Sequence, residues 1–421
     1  MPKFEVVGGK QLKGEVRISG SKNAALPILC ASLLTDQKIT LKNVPKIADI
    51  KSMTKILNAL GAVTFFKNDT LEINPKNLKK GSIPENYIRQ MRASILILGA
   101  LLPRFKELKI PFPGGCVLGK RSVLAHTHAF KSLGAKIIDD KNGLHLKAAK
   151  LKGAKILLPE LSVTATENAI MAAVLAEGNS EIRLAATEPH VQDLCHFLKK
   201  MGAKISGIGT NTIKIVGVKK LNGCTYTITG DYLEAGTFAI AALATGGDVV
   251  IKGINTDHLD SFWQKLEQMG ANFEVKPNEA HIKPSKKLTA VKHLKTAVYP
   301  GFATDLQAPF SVLLSQAKGV SKVFETLFEG RLNYLFELEN MGAHIEFLNP
   351  HQALIIGPAK LKGIPISSYD IRAGAAMVIA ALAADGKTEI SNINYIDRGY
   401  EDLDEKLRHL GADIKRIPPK K

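Results

Sequence analysis

Charged side chains gather at six corresponding points of the sequence, each where a predicted strand gives way to an apolar helix. Lysine, arginine, aspartate and glutamate stand there among small residues. A helix N-terminus carries partial positive charge and free N–H groups, so added cations suit an anionic ligand and added acids suit proton transfer. Singly, each junction is typical of a capped helix; together they predict a charged active site. The junctions are residues 19–23, 90–94, 164–168, 231–236, 303–307 and 370–374.

Cys116 is the cysteine whose surroundings favour reactivity. It follows Pro113-Gly114-Gly115, precedes a predicted helix and stands near Lys120 and Arg121. Neighbouring cations stabilise a thiolate and lower the pKa of the thiol, so Cys116 is suited to act as an acid or a nucleophile near neutral pH.

The other cysteines are predicted to be small core residues. Cys30 falls in a buried helix, Cys195 in an amphipathic helix and Cys224 in a strand. Because the four cysteines are far apart and form no CxxC pair, neither a disulfide framework nor a zinc site is expected.

His126 and His128 suggest a metal site by their spacing alone. Two residues that are two apart on a helix point in different directions, and no HExxH motif or acidic cluster accompanies them. No metal is therefore predicted.

The elements that position these residues recur six times. In each copy a Leu/Met-Gly-Ala string closes an amphipathic helix, with the glycine expected at a C-cap of positive φ. An alanine-rich, nearly uncharged helix comes earlier in the copy, and such a helix is buried on all sides. The unit spans about 70 residues in the order strand, buried helix, strand, amphipathic helix, strand, strand. The six glycines are Gly61, Gly134, Gly202, Gly270, Gly342 and Gly411.

Six buried helices are too many for one core, so the repeats predict an α/β protein of two domains with three units each. Helices are expected inside and sheets outside. Because one strand precedes the first buried helix, residues 1–20 are expected to complete the domain formed by 230–421, and residues 21–229 to form the other. The active site is expected in a cleft between the domains.

Composition narrows the possible partners. The chain has 421 residues and a net charge of +18, but its lysines are dispersed and no aromatic residues interleave with them, so no nucleic-acid partner is predicted. No segment approaches the ~18 uncharged apolar residues of a membrane span, and the charged start Met1-Pro2-Lys3 does not fit a secretory signal. We expect a cytoplasmic protein without membrane insertion, as a monomer or weak oligomer.

Ordered motifs cover about residues 3–415. They are Ser19-Gly20-Ser21-Lys22-Asn23-Ala24-Ala25-Leu26-Pro27, Met91-Arg92-Ala93-Ser94, Pro113-Gly114-Gly115-Cys116 with Gly119 and Arg121, Glu188-Pro189, Thr304-Asp305-Leu306-Gln307-Ala308, Phe328-Glu329 with Arg331, Asp370-Ile371-Arg372-Ala373, and Ile396-Asp397-Arg398-Gly399-Tyr400-Glu401. Together they resemble the enolpyruvyl transferases, and among them the UDP-N-acetylglucosamine 1-carboxyvinyltransferases.

This resemblance implies a two-domain inside-out α/β barrel. The implied reaction transfers the enolpyruvyl group of phosphoenolpyruvate to the 3-hydroxyl of UDP-N-acetylglucosamine and releases phosphate, the first committed step of peptidoglycan synthesis. It implies no metal or organic cofactor.

The same resemblance implies four catalytic residues. Cys116 resembles the acid that protonates the methylene carbon of phosphoenolpyruvate, and Asp305 the base at the sugar hydroxyl. Lys22 and Arg398 resemble cations that hold phosphoenolpyruvate. Because Cys116 can form an adduct with that carbon, alkylation by the epoxide fosfomycin is also expected.

Substrate binding is implied for cations and for two nucleotide-binding loops. The residues are Lys22, Asn23, Arg92, Arg121, Ser122, Val123, Leu124, Ala125, Ser162, Val163, Thr164, Asp305, Leu327, Arg331, Arg372 and Arg398. Arg92 and the loops 121–125 and 162–165 are expected at the sugar nucleotide, and Leu327 is expected to contact it through its backbone. Lys22, Arg121 and Arg398 are expected at phosphoenolpyruvate, with Arg331 and Arg372 nearby.

Departures from the family's usual pattern gather on the sugar-nucleotide side. Ser122, Leu124, Glu160, Thr164 and Tyr232 stand where proline, aspartate, lysine, glycine and arginine are common. Two alternatives follow: an enolpyruvyl transferase with another acceptor such as shikimate 3-phosphate, and a catalytically quiet paralogue that binds a sugar nucleotide as a regulator.

Overall fold

The computed structural model describes residues 2–80, 84–114, 122–138, 140–141, 143–285 and 287–419. Helices and strands alternate throughout these ranges. The helices are α1 (Lys22–Ala31), α2 (Ala48–Ala59), α3 (Glu85–Gln90), α4 (Ile97–Phe105), α5 (Leu124–Ser132), α6 (Val163–Ala173), α7 (Pro189–Lys200), α8 (Tyr232–Ala244), α9 (Asp260–Gln268), α10 (Thr304–Gln316), α11 (Leu335–Asn340), α12 (Ile371–Ala383) and α13 (Leu403–His409).

The strands are short, of three to six residues. They are β1 (Lys3–Val7), β2 (Lys13–Arg17), β3 (Ile39–Lys42), β4 (Val63–Lys67), β5 (Thr70–Asn74), β6 (Glu107–Pro111), β7 (Lys136–Ile138), β8 (Gly143–Lys147), β9 (Lys155–Leu157), β10 (Asn179–Arg183), β11 (Lys204–Ser206), β12 (Thr212–Val216), β13 (Thr225–Thr227), β14 (Asp248–Lys252), β15 (Phe273–Lys276), β16 (Glu279–Ile282), β17 (His293–Lys295), β18 (Gly319–Phe324), β19 (His344–Asn349), β20 (Gln352–Gly357), β21 (Pro365–Ser367), β22 (Lys387–Ser391) and β23 (Asp413–Ile417).

The chain forms two compact units. The first unit contains residues 20–114 and 122–229, and the second unit contains residues 2–19 and 230–419. Each unit has a hydrophobic core of its own, built from its own helices and the inner faces of its own strands.

One strand order recurs in the sheets. In the sheet β9-β10-β12-β11, the first two strands are parallel and the others antiparallel, and α6 joins the parallel pair. The sheets β13-β3-β5-β4, β2-β14-β16-β15, β17-β18-β20-β19 and β21-β22-β1-β23 repeat this order, and β6-β8-β7 repeats its last three places within the residues described. The α/β fold class and the repeated unit predicted from the sequence are confirmed.

Strands from the beginning of the chain belong to the second unit. β1 lies between β22 and β23, and β2 pairs in parallel with β14. β13, the last strand of the first unit in sequence, pairs in parallel with β3 of the same unit. Within the residues described, the chain therefore passes between the units twice, after residue 19 and after residue 229.

The alanine-rich helices are buried, as predicted. In α8 every residue from Tyr232 to Leu243 is buried, and α8, α10 and α12 contact one another. In the first unit α4 contacts both α1 and α6. The glycines that end the amphipathic helices all have positive φ, from 74° at Gly270 to 105° at Gly342, so the predicted C-caps are confirmed.

Three cysteines fall within the described ranges. Cys30 and Cys195 are buried in α1 and α7, as predicted, and burial raises the pKa of both thiols. The prediction that Cys224 lies in a strand is wrong, because pairing with β3 begins one residue later, at Thr225. Cys116 lies outside the described residues.

Candidate active site

In the first unit, Lys22 begins helix α1 and forms a buried ion pair. Its Nζ lies 2.9 Å from Oδ2 of Asp49, with side chains that are 10% and 7% exposed. Ser21 caps the helix through a hydrogen bond that its hydroxyl accepts from the N–H of Ala24, and Asn23 is half-buried beside it. The sequence reasoning missed Asp49. The feature that could have identified it is an acidic residue at a position of the amphipathic helix α2 that faces the core.

Arg92 contacts residues 122–125, the described part of the first predicted nucleotide loop, 121–125. Its Nη2 donates to the carbonyl oxygen of Ser122 at 2.8 Å, and the Ser122 hydroxyl accepts from the N–H of Leu124 at 3.0 Å. The side chain of Leu124 is largely exposed and Ala125 is buried. Arg121, the neighbour predicted to bind phosphoenolpyruvate, lies outside the described residues.

His126 joins this segment to the second one, 162–164. The ring is buried, with Nδ1 2.9 Å from Nδ2 of Asn168 and Nε2 3.2 Å from Oγ1 of Thr164. Burial, aided by the positive charge of Arg92, lowers the pKa of His126 to about 3, so the ring is neutral at physiological pH. Ser162 caps α6 by accepting from the N–H of Ala165.

Glu167 lies one turn further into α6 and is fully buried. Its Oε1 has no hydrogen-bond partner among the described residues. Burial, together with the negative charge of Glu188, raises the pKa of Glu167 well above its ordinary value.

In the second unit, Asp305 lies between two arginines. Arg331 Nη2 donates to Oδ1 at 2.7 Å and Arg372 Nε donates to Oδ2 at 3.1 Å. Both arginine side chains are 4% exposed, whereas that of Asp305 is 27% exposed. Burial alone raises the pKa of Asp305, but the two guanidinium groups outweigh it and hold the pKa well below its usual range.

The two arginines keep unused donors. Nε of Arg331 and Nη1 of Arg372 are buried without a hydrogen-bond partner in the described part of the chain. Arg372 also lies 5.1 Å from the ring centre of Tyr400, and Arg331 lies 5.5 Å from that of Phe328. Buried N–H groups normally find acceptors, so these donors favour an anionic ligand.

Two further predicted residues, Arg398 and Leu327, also belong to the second unit. Arg398 is half-buried in the short 3₁₀ turn Ile396–Arg398. Leu327 is partly exposed, and its N–H donates to Oε1 of Glu325 at 2.9 Å.

The junction at residues 231–236 serves the fold. The Asp231 carboxylate accepts from the N–H groups of Leu233 and Glu234 and so caps α8. Glu234 is buried and bound to Lys406 Nζ at 2.5 Å, and it also accepts from the N–H of Ser19. Tyr232 packs edge-on against His258.

Within the described ranges, no group of three or more His, Cys, Asp or Glu side chains is arranged to hold a metal ion. None of the described helices is long and apolar enough to cross a bilayer.

The chain matches the family model described as EPSP synthase (3-phosphoshikimate 1-carboxyvinyltransferase) over residues 6–407, and it belongs to that family. The family assigned from sequence motifs is confirmed.

Relatives that share more of the sequence carry a more specific name. The chain is 46% identical over 417 residues to UDP-N-acetylglucosamine 1-carboxyvinyltransferase 3 of Caldanaerobacter subterraneus subsp. tengcongensis, covering 99% of this chain and 100% of the relative. It is 42% identical to UDP-N-acetylglucosamine 1-carboxyvinyltransferase 2 of Bacillus subtilis, covering 99% and 97%.

Solved structures share the fold at lower identity. The enolpyruvyl transferase NikO from Streptomyces tendae superposes with a TM-score of 0.89 at 24% identity, covering 99% of both chains. EPSP synthase from Acinetobacter baumannii superposes with a TM-score of 0.78 at 19% identity, covering 99% of this chain and 100% of that one.

Proposed function

We propose that this protein transfers the enolpyruvyl group of phosphoenolpyruvate to the 3-hydroxyl of UDP-N-acetylglucosamine and releases phosphate, as a step of peptidoglycan synthesis. Full-length relatives at 42% and 46% identity carry the name of this activity, which supports the proposal. The structural observation that carries it is Asp305, a carboxylate that is held by Arg331 and Arg372 while both arginines keep buried donors unused.

Phosphoenolpyruvate is a small and highly charged anion, so its binding requires cations with free donors. Arg331 and Arg372 offer such donors in the second unit. Lys22, Arg121 and Arg398 are the further cations that the proposal assigns to its phosphate and carboxylate. The same cations stabilise the phosphate as a leaving group.

The proposed chemistry balances with one acid and one base. The Cys116 thiol gives its proton to the methylene carbon, which leaves a thiolate and an oxocarbenium-like carbon. Asp305 takes the proton of the sugar 3-hydroxyl as the oxygen attacks that carbon. The carbon–oxygen bond to phosphate then breaks, the departing phosphate takes up the proton held by Asp305, and a methyl proton returns to the thiolate, which restores the double bond.

The arginines also set the strength of the base. With both guanidinium groups bound, Asp305 has a depressed pKa and is a weak base. When phosphoenolpyruvate draws Arg331 and Arg372 toward its own anionic groups, the Asp305 carboxylate loses charge stabilisation and becomes more basic. The base is therefore activated by the presence of the second substrate.

A phosphate-release assay with both substrates tests the proposal. Wild type should release phosphate with UDP-N-acetylglucosamine and not with shikimate 3-phosphate, and Cys116→Ala and Asp305→Ala should each lose most of the activity. Release with shikimate 3-phosphate instead would reassign the acceptor, and no release with either acceptor would leave only the regulatory alternative.

Fosfomycin supplies a covalent test of Cys116. Thiolate attack on an epoxide carbon opens the ring and leaves a carbon–sulfur bond, so intact-mass measurement should show one added fosfomycin per chain. Cys116→Ala should show no adduct while Cys30, buried in α1 with a raised pKa, stays unmodified in both proteins. An adduct that persists in Cys116→Ala would contradict the assignment.

The cytoplasmic location and the monomeric or weakly oligomeric state remain predictions from the sequence. Size-exclusion chromatography with light scattering would measure the oligomeric state.

A further inference from the structure

The hydrogen bonds of Asn168 fix its amide orientation. Oδ1 accepts from the N–H of Gly99 at 2.9 Å, and Nδ2 donates to the carbonyl oxygen of Ile95 at 3.1 Å. Exchanging the amide oxygen and nitrogen would set a donor against a donor and an acceptor against an acceptor. The second hydrogen of Nδ2 therefore points to His126, at 2.9 Å.

This orientation selects one tautomer of His126. Because Nδ1 faces the Asn168 donor, Nδ1 must be the unprotonated acceptor. The ring is neutral, so its single proton lies on Nε2, which is 3.2 Å from Oγ1 of Thr164. His126 thus donates to Thr164.

A hydroxyl that accepts from His126 retains its own proton for another acceptor. Among the described residues, Thr164 Oγ1 has no partner besides His126. Thr166 on the same helix differs, because its hydroxyl donates to the carbonyl of Ser162 at 2.8 Å and accepts from the N–H of Ala186 at 3.0 Å. Thr164 is only half-buried, so its free proton can reach a bound ligand.

We propose that the Thr164 hydroxyl donates a hydrogen bond to a diphosphate oxygen of the sugar nucleotide, and that Asn168 and His126 are positioning residues that fix its direction. The inference rests on the proposed function. A phosphate oxygen is the acceptor that fits, because Arg92 brings positive charge to the same place: its charge acts on His126 and its guanidinium bonds to Ser122. The hydrogen-bond relay from Asn168 through His126 then orients the Thr164 hydroxyl before the nucleotide binds, and Thr164 contributes to nucleotide affinity.

Calorimetric titration with UDP and with uridine tests the contact. Thr164→Val should weaken UDP binding about 10- to 100-fold, the size of one hydrogen bond to a charged group, and leave uridine binding unchanged. Thr164→Ser should retain wild-type affinity. Thr166→Val is the matched control: its melting temperature should fall while its UDP affinity stays the same.

Kinetics and NMR test the relay. Thr164→Val should raise KM for UDP-N-acetylglucosamine with kcat and KM for phosphoenolpyruvate unchanged. The ¹⁵N shifts of the His126 ring, assigned by comparison with His126→Gln, should show a neutral ring protonated on Nε2 in the folded wild type, whatever the variant's stability.

Three results would overturn the inference. The first is a UDP affinity that is unchanged in Thr164→Val. The second is an equal loss of uridine affinity in that variant, which would place the contact at the nucleoside, and the third is a His126 ring protonated on Nδ1. If wild type releases phosphate with UDP-N-acetylglucosamine, each of these results leaves the proposed function intact. A wild type that neither binds UDP nor releases phosphate would reject both.

Discussion

Two carboxylates of the second unit each lie between a pair of arginines. The two pairs differ in whether their remaining hydrogen-bond donors have partners. Asp404 accepts from Arg408 at 3.0 Å and from Arg416 at 2.9 Å, and Arg416 also forms two bonds to Asp397. These arginines are 41% and 35% exposed, so water reaches their remaining donors. At Asp305 the arginines are buried and keep donors without partners.

The comparison separates a structural ion cluster from a binding one. Both clusters lower the pKa of their aspartate. Only the Asp305 cluster holds desolvated guanidinium groups in place before a ligand is present, which is the preorganisation that transition-state stabilisation requires.

Removing each carboxylate gives the largest contrast. Asp305→Asn should lower kcat about 10²- to 10⁴-fold, the usual contribution of a general base. Asp404→Asn should leave kcat within about twofold and instead cost about 1.5–3 kcal/mol of unfolding free energy, the range for bonds to charged groups. Steady-state kinetics and urea unfolding measure both, and equal kinetic losses in the two variants would contradict the distinction.

The arginines give the next contrast. Arg372→Met should raise KM for phosphoenolpyruvate roughly 10- to 100-fold, because a charge-assisted bond to the anion is lost. Arg416→Met is the control, and its KM should match that of wild type. A phosphoenolpyruvate KM that is unaltered in Arg372→Met would remove Arg372 from the binding site.

Acid should weaken the Asp404 cluster. A carboxylate whose folded pKa is depressed contributes stability above its unfolded pKa and loses that contribution as pH falls through the folded value. The free energy of unfolding of wild type should therefore drop below about pH 5 more steeply than that of Asp404→Asn, by roughly 1 kcal/mol. Urea unfolding at a series of pH values measures this. If the free energy of unfolding falls equally steeply with decreasing pH in wild type and in Asp404→Asn, Asp404 does not have this role.

Glu167 of the first unit should show the smallest effect and the opposite sign. Its folded pKa is raised above the ordinary value of 4.5, so its stability contribution is present below that pH and is lost as pH rises toward the folded value. Glu167→Gln, which does not titrate, should match the free energy of unfolding of wild type near pH 4 and exceed it increasingly as pH rises to 8. A constant difference across this range would show that the folded pKa of Glu167 is not raised.

Periodicity and spacing predicted the framework well. The Leu/Met-Gly-Ala strings marked the ends of α2, α5, α7, α9, α11 and α13, because only a residue that tolerates positive φ suits that position. The alanine-rich helices were predicted as buried because a helix without a polar face has no side to turn to water. These signals are local, so a single sequence contains them.

Contacts between distant residues were not predictable in this way. Nothing in the spacing of Asp305, Arg331 and Arg372 shows that two arginines bind one carboxylate, since that depends on how α10 and α12 pack. From the sequence, His126 suggests only a metal site, and its spacing from His128 argues against one. Its bond to Asn168 could be found only when α5 and α6 were placed side by side.

The position of β1 imposes an order on folding during synthesis. Every strand pair of the first unit within the described ranges is available once β13 has been made, at Thr227. The second unit must retain β1 unpaired until β22 and β23 emerge, the latter ending at Ile417. At ~5–20 residues per second, the ~190 residues between these points take roughly 10–40 s. A ribosome-bound chain should therefore pass through a stage in which the first unit is folded while β1, with its apolar Phe4 and Val6, still waits for its partners.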